Sequence, residues 1–206
     1  VSVDPVFGPS IRERHVQRAV RDTVKRWITT YLAAIERAEE LDPRSLPEPR
    51  SYVLKDDGTL NKRPSDQTPT ICVLCPGTYG DPVMEGEGLY RAAFLVNVAA
   101  IVESGDPDFV SDLAGFYISA VRDLLVHNGS LGGFAQTSAW KGSRTDDLKP
   151  EDGRSIAAGT NVFHVYVSGV VQRGAGLKAP PEEPYEEIEL PTITDVEVAL
   201  KPEEIA

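Results

Sequence analysis

A chain of 206 residues with 41% hydrophobic content is long enough to close one core without a disulfide or metal staple. Its 32 acidic residues outweigh 21 lysines and arginines, for a formal charge of −11, which argues against the chain as a whole gripping a phosphate backbone. No apolar run approaches membrane-spanning length; the longest, residues 92–102, is broken by Asn97.

The opening residues, Val-Ser-Val-Asp-Pro-Val-Phe-Gly-Pro-Ser10, lack the basic and apolar regions of a secretory leader. The expectation is therefore a protein made in a reducing cytoplasm, where Cys72 and Cys75 need not be bridged. Ser10-Ile-Arg-Glu13 reads as a capping box opening a helix. Val16, Val20, Val24, Trp27, Ile28, Tyr31 and Ile35 recur at three- and four-residue steps and predict one apolar stripe. Asp42-Pro43 should stop the helix near Leu41.

A proline-rich connector follows, then a short strand at Arg50–Leu54 and a turn at Lys55–Gly58. Thr70–Cys75 predicts a compact apolar strand and Leu89–Val102 an unusually long one. Asp106 or Asp108 should cap a second helix whose buried stripe is Val110, Leu113, Ala114, Tyr117, Val121, Leu124 and Leu125. His127-Asn-Gly129 should close it with a left-handed residue. Phe134–Trp140 predicts a strand, the charged stretch to Arg154 a loop, and Asn161–Gln172 the last core strand. Helix, three strands, helix and two strands predict an α+β class with a mixed, mostly antiparallel sheet of four to five strands flanked by two helices.

The composition changes after Gly176, so the expected division is a core at 1–176 and an arm at 177–206. Residues 179–206 hold five prolines and nine acids against Lys201 alone, a net −8. Such a segment buries too little to fold by itself. Ile193–Leu200 nevertheless alternates like a strand, which suits an arm that adds to a neighbour's sheet edge. A solvated tail and an arm packed on its own domain are the plain alternatives.

Residue patterns that carry chemistry have simpler explanations here. Cys72-Val-Leu-Cys75 sits in an apolar strand, where positions three apart face opposite ways, and lacks two further zinc ligands. His15, His127 and His164 fall on different elements with no metal-binding spacing. Gly129-Ser-Leu-Gly132-Gly133 follows a helix where a phosphate loop would open one. Asp56-Asp57 and Asp146-Asp147 fall in predicted loops and read as solvated. No catalytic residue, cofactor or metal is expected. The first half of helix 1 does stand out. Arg12, Arg14, Arg18, Arg21, Lys25 and Arg26 face only Glu13 and Asp22, a local +4. Such a face is either solvated or docks an acidic surface. Arg14, Arg18, Arg21 and Arg26 on the helix, with Glu182, Glu183, Glu186 and Val196 on a neighbour's arm, are the expected subunit contacts.

Short pieces along the chain carry a family resemblance. They are Arg14-His-Val-Gln-Arg-Ala-Val20, Leu46-Pro-Glu-Pro-Arg-Ser-Tyr52, Cys75-Pro-Gly-Thr-Tyr79 and Gly86-Glu-Gly-Leu-Tyr-Arg91. Further on come Tyr117-Ile-Ser-Ala-Val-Arg122, Ser130-Leu-Gly-Gly133, Arg154-Ser-Ile-Ala-Ala-Gly159 and Phe163-His-Val-Tyr-Val167. Together they span most of residues 10–172 and resemble the tail terminator proteins of long-tailed siphophages, those infecting actinobacteria above all. The resemblance implies a subunit of a six-fold homo-oligomeric ring in the virion, assembled in the host cytoplasm. Such a ring caps the tail tube protein's polymer, ends its growth and meets the head–tail connector protein. Genomic DNA passes through the lumen without specific binding, and no membrane is involved. Another neck ring, an adaptor or stopper, is the nearest alternative; an enzyme whose site forms between subunits is the other.

Overall fold

The computed structural model describes residues 11–55, 67–86, 89–151 and 154–172. The element order is α1 (Glu13–Ala38), β1 (Ser51–Lys55), β2 (Thr70–Thr78), β3 (Val83–Gly86), β4 (Leu89–Ser104), α2 (Pro107–His127), a 3-10 turn at Leu131–Gly133, β5 (Thr137–Glu151) and β6 (Arg154–Gln172). Among the described residues this is an α+β fold with two helices and a mixed, mostly antiparallel sheet. That sheet has six strands, against the four to five expected. The extra one is β3, too short at four residues to announce itself by alternation.

The strand order is β1-β2-β4-β6-β5, with β3 paired to β4 off that path. β1 and β2 are parallel; every other pair is antiparallel. The sheet is built around β4 and β6, which run from Ser104↔Ser155 to Leu89↔Gln172. Chain direction forces the layout. β4 passes through α2 to β5, and the β5–β6 hairpin then places β6 between β4 and β5.

On the helix-facing side of the sheet, Phe94, Val96, Val98, Phe163, Val165 and Val167 are each at most 1% exposed, because alternation puts every second residue inward. α2 contributes the predicted stripe in full, from Val110 to Leu125, all buried. Its N-cap is Asp106, whose side chain accepts from the Asp108 amide at 3.0 Å.

The helix-facing side also holds polar joints that periodicity does not report. Gln17 is buried and donates from Nε2 to the Lys55 carbonyl at 2.7 Å. Glu36 accepts the Leu46 amide at 2.8 Å, tying the connector back to α1. Asn161 is fully buried, donates to the Ile118 carbonyl of α2 at 2.6 Å and accepts from Trp140 Nε1 at 3.3 Å. Satisfied polar groups of this kind cost little, whereas an orphaned one is expensive, so they fix where helices and sheet meet.

Four expectations change. The α1 cap is Arg12, whose amide is accepted by His15 Nδ1 at 3.1 Å; Ser10 lies outside the described residues. α2 ends at Asn128 with φ −107°, so no left-handed residue closes it there; positive φ is reached at Leu131 and Gly132. Asn128 instead turns Nδ2 onto the Leu124 carbonyl at 2.9 Å. The charged stretch after Trp140 is not a loop but the rest of β5, paired with β6 through two register shifts as far as Glu151↔Arg154. Asp146 and Asp147 therefore lie on a strand, while Asp56 and Asp57 lie outside the described residues.

Candidate interaction surfaces

The cysteines and histidines are the side chains best suited to nucleophilic, acid–base or metal chemistry. Cys72 and Cys75 are both buried, and neither is joined in a disulfide. Cys75 belongs to the main core, while Cys72 joins Ala99, Ile101 and Ala158 in a small cluster. Burial pushes the Cys75 thiol up to about 12; its contact with the Gly77 carbonyl opposes the rise and Glu13 adds to it. A thiol held protonated is neither nucleophile nor metal ligand. Because both cysteines are buried, they should resist a water-soluble disulfide reagent for hours in native protein and react fully in denaturant. Rapid native labelling of either would contradict this packing.

Each histidine has a structural partner. His15 caps α1, and His127 Nδ1 meets the Tyr31 hydroxyl at 3.2 Å. His164 lies against the Tyr79 ring at 4.0 Å between centroids, and burial, aided by Lys141, holds its pKa below the ordinary value. Among the described residues no group of three His, Cys, Asp or Glu side chains is placed to hold a metal ion. No helix of the described residues is long and apolar enough to cross a membrane.

The basic residues of α1 divide by helix geometry. At about 100° per residue, Arg14, Arg18, Arg21 and Lys25 fall on one flank, whereas Arg26 is turned about 100° from Lys25. Arg14 Nη1 donates to Gln17 Oε1 at 3.2 Å. Arg21 is half-buried and pairs with Asp22 at 2.7 Å. Arg18 is exposed, and Lys25 Nζ stands 5.9 Å from the Tyr52 ring centroid. Arg26 lies apart from these and lines a groove. Their expected counterparts, Glu182, Glu183, Glu186 and Val196, lie outside the described residues.

That groove runs between α1 and the turn after α2. One hollow, of about 650 Å³, is lined by Ala19, Thr23, Arg26, Trp27 and Leu131 among others. An adjoining one, of about 310 Å³, shares Trp27 and Asn128 and adds Tyr31, Ala34 and Arg37. Trp27 is 43% exposed, contrary to its expected place in the buried stripe. The signal was in the sequence. The neighbours one turn away, Thr23 and Thr30, are polar, which puts Trp27 on the stripe's outer edge.

Two further apolar patches stand uncovered. On the β2–β3 turn and β3, Tyr79, Val83 and Met84 are each more than half exposed. Val83 and Met84 are successive strand residues and so point to opposite sides of the ribbon. A polar clasp holds the ribbon in place, with Glu85 accepting from Ser168 Oγ at 2.6 Å and pairing with Arg91 at 3.4 Å. The other patch is Trp140 with Val126, where the Arg122 guanidinium stands 5.6 Å over the indole ring.

Comparisons with known proteins add little. No protein-family model matches the chain, and no curated protein is detectably similar to it. Among solved structures, a chain from the virion of a native gene transfer agent particle is similar over 67% of this chain and 94% of that one. Its sequence identity is 16% and its TM-score 0.34, below the level at which a shared fold is inferred.

Proposed function

We propose that this chain is a structural virion protein that caps the head-proximal end of a phage tail tube as a ring, ending tube growth and joining the tail to the head connector. The reading starts from the sequence pieces that resemble tail terminators, and one observation supports it. Pieces far apart in the chain meet as the joints of the fold. The Tyr117 hydroxyl donates to the Pro47 carbonyl, linking the α2 piece to the connector piece. Ile118 of the α2 piece crowds Gly159 of the β6 piece so closely that a Cβ there would sit 2.4 Å from Ile118 Cγ2. Tyr79 stacks on His164, joining the β2 piece to the last. Residues that set a fold's joints are those a shared architecture would keep.

A cyclic ring needs two different, complementary patches on each subunit. The net −8 arm of one subunit against Arg14, Arg18 and Arg21 of the next supplies one such pair by charge, Arg26 being turned off that flank. Electron microscopy of the protein mixed with tail tubes of the same phage tests the reading. Six-fold rings at one end of each tube are the expected result. A twelve-fold ring that binds portal and leaves tubes bare would make it a neck adaptor instead. A strict monomer without affinity for tubes would end the terminator reading.

A further inference from the structure

We infer that neighbouring copies in the ring join by inserting the β3 ridge of one subunit, Tyr79, Val83 and Met84, into the Trp27 groove of the next. This rests on the ring reading and names its contact. The ridge is apolar on both sides, since Val83 and Met84 point oppositely and are 54% and 61% exposed. A ribbon with two apolar sides fits a walled groove better than a flat face. The groove offers what such a ribbon would bury against: Trp27, Ala34 and Leu131, in hollows of about 310 and 650 Å³. A soluble monomer rarely leaves such a patch bare without using it.

Charge favours a second copy as the occupant. Arg26 and Arg37 border the groove, and neither has a carboxylate partner among the described residues. Asp22, the groove's acid, is paired with Arg21. On the ridge, Glu85 is engaged by Arg91 and Ser168, while Asp81 is exposed and has no cationic partner among the described residues. The spare carboxylate at the head of the ridge thus faces a groove with spare guanidinium groups along its border. Ridge and groove lie on different elements, so each copy can take a neighbour on one side and offer its own ridge on the other, the head-to-tail arrangement that closes into a ring.

The test uses the full chain. Ala34→Cys in the groove and Met84→Cys on the ridge are joined by a short bifunctional thiol reagent, with Cys72 and Cys75 buried and silent. The double variant should give a covalent ladder up to the ring, and a mixture of the two single variants should give dimers. Each single variant alone should give none. Separately, Asp81→Arg should weaken self-association at least tenfold with its circular dichroism unchanged, and adding Arg26→Glu should restore most of it. Wild-type rings with no ladder, a single variant linking to itself, or an Asp81→Arg protein that assembles normally would overturn the ridge–groove contact and leave the ring standing. A wild-type protein that is monomeric by native mass, alone and with tubes, would sink both.

Discussion

Asn161→Asp should destabilise the fold by about 2–4 kcal/mol at neutral pH, and by much less in acid. The wild-type amide is fully buried, donates to the Ile118 carbonyl at 2.6 Å and receives Trp140 Nε1 and the Ser143 hydroxyl on its oxygen. A carboxylate keeps the shape and the accepted bonds. It loses the donor, however, and sets a negative charge against a carbonyl oxygen in a fully buried place. The neutral acid can donate again, so the folded state favours the protonated form and the folded pKa rises above the unfolded value near 4. A folded state that binds the extra proton loses stability as pH rises between the two values. The penalty is therefore small below both and complete above both. Urea unfolding of wild type and variant at pH 7 and at the lowest pH where both fold measures it, with the slope m as a check on the unfolded state. An equal difference at both pH values would show that charge is not the cause.

Gly159→Ala should be costly for a steric reason two residues along the same strand. The added methyl carbon would lie 2.4 Å from Ile118 Cγ2, 3.1 Å from its Cδ1 and 3.3 Å from the Ala114 carbonyl oxygen. Cγ2 hangs directly on a β-branched carbon in a helix, where one rotamer dominates, so it cannot swing aside. The helix must move off the sheet, which for overpacking of this kind costs about 1–3 kcal/mol. At this chain length each kcal/mol lowers the melting temperature by about 2–4 °C. Ile118→Ala alone opens a cavity worth about 2–5 kcal/mol, but it also removes the clashing atoms. The double variant should therefore lose at least about 1 kcal/mol less than the sum of the singles. Strict additivity would mean that Gly159 is not where α2 touches the sheet.

Both predictions fall on one contact, where α2 residues 114–118 meet β6 at Gly159 and Asn161, and the sequence did not announce it. It did announce each element's inner side. Phe163, Val165 and Val167 alternate as the sequence predicts and are buried, and the α2 stripe is buried from end to end. Cys72 and Cys75 separate into different clusters, as three-residue spacing in a strand requires. These readings hold because a period of 2 or 3.6 reports how one element presents itself to whatever covers it, without saying what that is.

Where a residue's fate depended on a distant partner, composition misled. Lys141 to Glu151 reads as a charged loop, yet it forms a strand because β6 pairs with it residue for residue from Gly142 to Leu148; exposed Lys141 and Arg144 then suit it to the sheet's outer edge. Arg26 counts as one of a basic run in sequence, yet the helix turns it away from that flank and into the groove. The arm's −8 and the bias of α1 are legible in composition and need no structure.

The sequence by itself thus determined the α+β class, the two helices, the inward side of each long element and the opposed charges of helix and arm. Those follow from local spacing and composition. Tertiary structure decided the rest: that β6 lies between β4 and β5, that Gln17, Glu36 and Asn161 are buried as joints, and that Trp27, Tyr79, Val83 and Met84 stay uncovered. Exposure of an apolar side chain depends on which distant element arrives to cover it, and local periodicity holds no record of that.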